Sequence, residues 1–183
     1  MNILPGSKPL LTREEALQKI AVFVIPEEYK VRLLGIRGYY KKTMGDSSKN
    51  DRSIYDDAIF IITPDDFWGF NANTDPSVAR KGVAVLKPGG PYLYKIGLHN
   101  MKKPYRALRQ FGNVTVIRDG GKEDTDSPKN RFYIDIHKGG FGTTSSLGCQ
   151  TIYPLQWDDF LKKTEEEMAE YKQTIVPYYL IEK

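Results

Sequence analysis

Two side chains suited to nucleophilic chemistry lie within one short stretch. The single cysteine, Cys149, follows His137, one of only two histidines, by 12 positions. An imidazole beside a thiol lowers the thiol pKa and makes sulfur a nucleophile near neutral pH. Lys138-Gly139-Gly140, then Thr143-Thr144-Ser145-Ser146-Leu147-Gly148, can fold back and bring the two together. Gly148 permits positive φ or close backbone approach beside the nucleophile. Backbone N–H groups around Gly148 and Cys149 are candidates for stabilising an oxyanion. His137 and Cys149 are expected to meet in a groove lined also by Ser145, Ser146 and Gly148. The spacing alone also fits plainer roles. A lone cysteine is commonly a small buried hydrophobe, a histidine after a strand is often only hydrogen-bonded, and Gly139-Gly140 suits a simple turn.

Other residues fall around this pair. His99, after Tyr94 and Gly97, either faces the same cleft or closes a strand. Asp135 precedes His137 by two, so both side chains can share a strand face and the carboxylate can orient the imidazole, unless it is a solvated outward residue. Tyr153 and Trp157 follow the cysteine and can wall a groove, although Trp157 at helical spacing suits a core. Gly120-Gly121-Lys122 lacks phosphate-loop spacing. No His, Asp or Glu cluster has metal spacing, and one cysteine excludes both an internal disulfide and a multi-cysteine zinc site. No cofactor is expected.

These residues need a platform, and the composition supplies one. The chain has 183 residues, 40% apolar and 27% charged, which suits a single globular domain and not disorder. Aromatics at 12% favour half-buried sheet faces. Thr12-Arg13-Glu14-Glu15 reads as a capping box before a short amphipathic helix. Strands are expected around 31–40, 58–62, 67–71, 83–86, 92–98, 114–117, 132–136 and 175–181. Residues 41–52, 63–66, 87–91 and 119–130 read as turns or loops. Pro177 is expected to confine its strand to a sheet edge. Trp157, Phe160, Leu161, Thr164, Met168 and Tyr171 recur at steps of three and four, with Asp158 and Asp159 expected in the helix's first turn. The fold class is therefore mainly β, an antiparallel sandwich or barrel-like domain. It carries a short N-terminal helix and a C-terminal amphipathic helix packed outside. Residues 1–183 form one domain: 1–54 hold the helix and polar loop, and 55–183 hold the β core.

Ile136-His137, the glycine-rich loop and Ser146-Leu147-Gly148-Cys149 together resemble the catalytic motif of the L,D-transpeptidase (YkuD-like) family. That motif is a histidine followed, after a loop, by Ser-His-Gly-Cys, a hydrophobic residue and arginine. The match covers about 20 residues, and the strand-rich stretch 55–157 is compatible with that fold. Asn73-Thr74-Asp75-Pro76 and Tyr94 to His99 look like phage-borne relatives. The resemblance implies that Cys149 attacks a peptide carbonyl of the peptidoglycan stem, that His137 is its base, and that the Lys138 carbonyl orients the ring. The chain departs from the pattern at Leu147 and Thr151, where the family has histidine and arginine, and its His-to-Cys interval is shorter. Arg80, Arg109, Arg118 and Arg131 are possible replacements for the arginine.

The expected function is a cysteine-dependent stem-peptide peptidase or L,D-transpeptidase working through a thioester. A non-catalytic wall-binding module with the same fold is the alternative. A third reading takes Lys41-Lys42, Arg80-Lys81, Lys102-Lys103, Arg106 and Arg109, interleaved with Tyr92, Tyr94 and Tyr105, as a single-strand nucleic-acid surface. A net charge of +4 is modest for that, and no recognition motif supports it, so nucleic acid is not an expected partner. No apolar run approaches a membrane span. The first residues lack secretory-signal features. The chain is therefore expected to be made in a cytoplasm and to act at a wall after release or injection, as a phage lysin would.

Overall fold

A computed structural model describes residues 3–46, 48, 51–100 and 102–183. Ser47, Lys49 and Asn50 of the polar stretch 41–52 lie outside the described residues. Among those described, the chain is mainly β. Its elements are α1 (Arg13–Ile20), β1 (Arg32–Arg37), β2 (Asp57–Ile62), β3 (Phe67–Asn73), β4 (Ala84–Leu86), β5 (Gly89–His99) and β6 (Tyr105–Gln110). They continue with β7 (Thr115–Arg118), β8 (Lys122–Thr125), β9 (Ile136–Lys138), β10 (Gln150–Ile152), α2 (Pro154–Glu170) and β11 (Val176–Glu182). Eight strands close a barrel in the order β1-β11-β5-β6-β9-β10-β3-β2, and β4-β7-β8 form a separate sheet. Most neighbouring pairs are antiparallel, but β1–β11 and β9–β10 are parallel. No helix is long and apolar enough to cross a membrane.

The residue pattern explains why this sheet closes. Along β1 and β2, Leu33, Ile59 and Ile61 join the main core with Phe70, Leu108, Ile136 and Ile152. The alternate residues Leu34, Ile36, Ala58, Phe60 and Ile62 pack with Ala16 and Ile20 of α1. Both faces of β2 are covered, so its sequence Asp-Ala-Ile-Phe-Ile-Ile runs apolar without alternation. Each fully buried aliphatic side chain contributes roughly 1.5–3 kcal/mol. The capping box of α1 is formed in both directions: Glu15 N–H donates to Thr12 Oγ1 (3.2 Å) and Thr12 N–H to Glu15 Oε2 (2.8 Å).

Several expected boundaries shift. The stretch 132–135 is irregular, and its strand begins only at Ile136, so His137 is the middle residue of β9. Two strands, β6 and β10, were not evident in the sequence, and β8 lies inside the expected 119–130 loop. The expected turn 87–91 is partly strand, because Gly89 already pairs with Leu180. The C-terminal helix starts at Pro154, with proline in its first turn, so Asp158 and Asp159 lie beyond that turn. Its Trp157, Phe160 and Met168 belong to the barrel's own core, with Phe160 edge-on to Phe70 (ring centroids 5.2 Å apart).

Pro177 is not on an edge. Strand β11 lies between β1 and β5, and Pro177 stands opposite Leu93. The Leu93 carbonyl is turned to the other side, accepting from Phe111 (2.8 Å) and Gly112 (3.2 Å). Pairing with β1 begins one residue later, at Tyr178. The missing proline N–H therefore falls where neither neighbour requires a donor.

Candidate active site

The site is built on the parallel pair β9–β10. Ile136 pairs with Gln150, His137 with Thr151 and Lys138 with Ile152. Ile136 and Ile152 belong to the main core, and Gln150 Oε1 accepts from the core Tyr178 hydroxyl (3.1 Å). Side chains alternate along a strand. His137 and Thr151 therefore share the opposite face, together with Asp135 and Cys149 just before the strands. The ladder continues to that level, since Gln150 N–H donates to the Asp135 carbonyl (2.9 Å). Cys149 thus precedes by two the residue that stands opposite His137.

The imidazole of His137 is buried and held from one end. Nδ1 lies 2.8 Å from the Lys138 carbonyl and 3.2 Å from the Tyr105 hydroxyl. A carbonyl only accepts, so Nδ1 carries the proton and Nε2 is left with its lone pair. Burial, and then the neighbouring His99, lower the imidazole pKa to about 4. Cys149 is half-buried, and its thiol donates to the Tyr133 carbonyl (3.4 Å). Burial, then the charge of Asp135, push the thiol up to about 12, with Arg109 opposing. The resting pair is a neutral thiol and a neutral imidazole. Among the described residues no hydrogen bond joins Sγ to either ring.

Asp135 does not orient His137. Its buried carboxylate accepts from His99 Nδ1 (2.8 Å) and Gln110 N–H (2.9 Å) and is ion-paired with Arg109 Nε (2.9 Å). His99 is instead the residue beside His137: their rings stack at 4.3 Å with an interplanar angle of 15°. Tyr105 meets His99 edge-on (5.5 Å). A cleft of about 410 Å³ opens here, lined by His99, Asn100, Arg109, Tyr133 and Asp135.

The loop 139–149 is fastened on both sides. Gly139 N–H donates to the Ile152 carbonyl (2.9 Å), and Tyr55 O–H to the Gly140 carbonyl (2.6 Å). A Cβ on Gly139 would collide with the Tyr55 hydroxyl. Ser146 is buried and clamps the turn, its hydroxyl accepting from Gly148 N–H (3.0 Å) and donating to the Cys149 carbonyl (2.6 Å). The Gly148 N–H is therefore engaged and is not an oxyanion donor, whereas among the described residues no partner in another residue takes the Cys149 N–H. Gly148 has φ +149°, and a Cβ there would meet the Ala84 carbonyl and Ile134 at 2.9 Å. Ser145 is exposed, with φ +56°, as is Tyr133. Left-handed backbone at non-glycine residues is held only by surrounding structure and clusters at functional sites. Ser145 lies in the turn before Cys149, and the Tyr133 carbonyl accepts from its thiol.

Tyr94 lies beneath the site, near enough to Asp135 and Cys149 for their charges to act on it, and is not on the cleft surface. It is fully buried, edge-on to Tyr178 (5.9 Å), and its hydroxyl has no partner. It cannot line a groove. Arg109, one of the four arginines the sequence offers in place of the family's, does reach this site, whereas Tyr105 and Tyr133 carry no sequence signal that would place them here. Tyr105 and Arg109 alternate along β6 as a face of one strand would, but their register against His99 has no local signal.

A second cavity of about 530 Å³, lined in part by Leu147 and Ile134, carries Arg80, Lys81 and Arg118. Arg118 is already paired with Asp124 (3.0 Å). Leu147, which stands where the related motif has histidine, is 65% exposed at the rim. Among the described residues no group of three or more His, Cys, Asp or Glu is arranged to hold a metal ion. No protein-family model matches the chain, and no curated protein and no solved structure is significantly similar to it.

Proposed function

We propose that the chain is a cysteine acyl-transfer enzyme acting on peptide stems of peptidoglycan, with Cys149 as nucleophile and His137 as base. The observation that carries the reading is the placement of Cys149 two residues before Thr151, which stands opposite His137 in β9–β10. The Lys138 carbonyl there fixes the proton on Nδ1 and leaves Nε2 free. As the thiol leaves the Tyr133 carbonyl, its proton passes to Nε2 while sulfur attacks the substrate carbonyl. The Cys149 N–H is the available donor for the developing oxyanion. Collapse expels the amine, which takes the proton from the imidazolium and leaves a thioester. Water, activated by the again neutral imidazole, or a second amine resolves it. A lysin-like role makes water the useful acceptor, so hydrolysis is the favoured outcome.

The raised thiol pKa means that ionisation must accompany attack and does not precede it. The same observation favours the second reading, a wall-binding module without chemistry. The two separate on incubation of wild type, Cys149→Ala and His137→Ala with purified peptidoglycan and soluble stem peptides, with products assigned by mass. Cleaved peptides from wild type alone support hydrolysis, and crosslinked dimers replace it with transfer. Co-sedimentation with the wall and no product in any variant establishes the binder. Full turnover by Cys149→Ala ends the mechanism.

A further inference from the structure

The cavity that carries Arg80, Lys81 and Arg118 borders the turn that carries Cys149. Ala84 and Ile134 line it, and they are the residues that a Cβ on Gly148 would meet at 2.9 Å. Leu147 lines it as well, with its side chain exposed at the rim. Phe132 and Ile134 both contribute to its wall, and the Tyr133 carbonyl between them accepts from the Cys149 thiol (3.4 Å).

The charge of this cavity is one-sided. The described residues that line it include three cations and no acid. Arg118 is neutralised, because its guanidinium pairs with Asp124 (3.0 Å) and lies over the Phe132 ring (4.5 Å to the centroid). Arg80 and Lys81 are exposed, and among the described residues neither side chain has an ion pair or a hydrogen bond. Asp119 accepts from the Arg80 N–H (3.1 Å), but Arg52 already holds both of its oxygens (2.7 Å each). Two unpaired cations beside Val83, Ala84 and Ile134 suit an anion with an aliphatic body. A phosphate is ordinarily cradled by successive backbone N–H groups. Here the amides of Arg80 and Gly82 are engaged by Asp119, and that of Val83 by the Arg80 carbonyl. A guanidinium fork, by contrast, matches a carboxylate in its own plane.

We propose that this cavity is a subsite for a carboxylate of the substrate, held by Arg80 and Lys81, with the adjoining aliphatic segment against Val83, Ala84 and Ile134. The peptide bond presented to Cys149 is then one close to an acidic side chain or a free C-terminus. This rests on the reading of Cys149 as a nucleophile toward peptides, and it supplies the feature by which the peptide is selected.

Cys149→Ala lacks the nucleophile, so calorimetry of this variant with a soluble stem peptide measures binding alone. The peptide with free carboxylates should bind at least about tenfold more tightly than the same peptide with every carboxylate amidated. Arg80→Gln combined with Lys81→Gln should abolish that difference. Leu147→Glu, which sets a carboxylate at the rim and leaves both cations in place, should reduce it. All three side chains are exposed, so these replacements spare the core. A short single-stranded oligonucleotide should not displace the peptide. No binding of either peptide, equal binding of the two, a preference unchanged in either set of replacements, or displacement by the oligonucleotide overturns the proposal. Its failure is distinct from failure of the enzyme reading. Charge-selective binding by a chain that yields no product leaves the subsite standing and ends the chemistry. Equal cleavage of free and amidated peptides by wild type ends the subsite and leaves Cys149 and His137 in their roles.

Discussion

Thr151 stands directly opposite His137 in the parallel β9–β10 ladder, and Cys149 precedes Thr151 by two. The eleven-residue loop 139–149 leaves β9 at its C-terminal end and enters β10 at its N-terminal end. Parallel neighbours need such a crossover from one end of the pair to the other. Here that connection is fastened by Tyr55, Ser146 and the Gly139 amide, so the position of Cys149 relative to His137 depends on the loop's anchors as much as on the strands.

Resting Cys149 is expected to alkylate slowly. With the thiol pushed up to about 12, its rate with iodoacetamide at pH 7.5 should fall at least about tenfold below that of a free peptide thiol. Mass spectrometry of timed reactions measures this. A faster rate than the free thiol would show a preformed thiolate and contradict the neutral resting pair.

Tyr94→Phe removes a buried hydroxyl that has no partner. Deleting an unsatisfied polar group is near neutral or stabilising, within about 1 kcal/mol. Denaturant midpoints should hold or rise, and activity should be unchanged. A large loss of activity would return Tyr94 to the site.

Ser146→Ala leaves the Gly148 N–H without its acceptor and frees the Cys149 carbonyl. A stability loss of about 1–3 kcal/mol is expected from the orphaned buried donor. Gly148→Ala places a methyl group against the Ala84 carbonyl at a φ that side chains rarely adopt, and should cost at least as much. Chemical denaturation of both variants checks the order.

His137 gives stability a pH dependence of definite sign. Its folded pKa, about 4, lies below the usual 6.5, so the unfolded chain binds the proton more readily. The stabilising contribution is complete above pH 6.5 and is lost as pH falls toward 4. Unfolding free energies at pH 7, 6, 5 and 4 should decline in wild type and decline less in His137→Gln.

Asp56 acts in the opposite sense. It is buried, one carboxylate oxygen has no partner among the described residues, and burial followed by repulsion from Asp57 raises its pKa. The folded state therefore binds the proton more tightly, and stability is lost as pH rises above the ordinary carboxylate range. Asp56→Asn should gain about 1–2 kcal/mol at pH 8 and little at pH 4. Thermal melts across that range test it.

Much of this protein was legible from local pattern. The capping box at Thr12, the apolar run 58–62 and the periodic stretch from Trp157 to Met168 each mark their element, because burial imposes a period that the residue types repeat. The sequence nearness of Cys149 and His137 was likewise visible, and the fold sets the strands that carry and follow them side by side. Only the tertiary structure decided which histidine partner each carboxylate takes. Asp135 is two residues from His137 in sequence yet holds His99, because β5, β6 and β9 converge there, and register between distant strands has no local signature. The three-residue strands β9 and β10 are too short to show alternation. Pro177 and Tyr94 were misplaced for the same reason. A residue's own type states what it can do, but whether it faces core, neighbour or solvent is settled by barrel closure, which sums contacts from the whole chain.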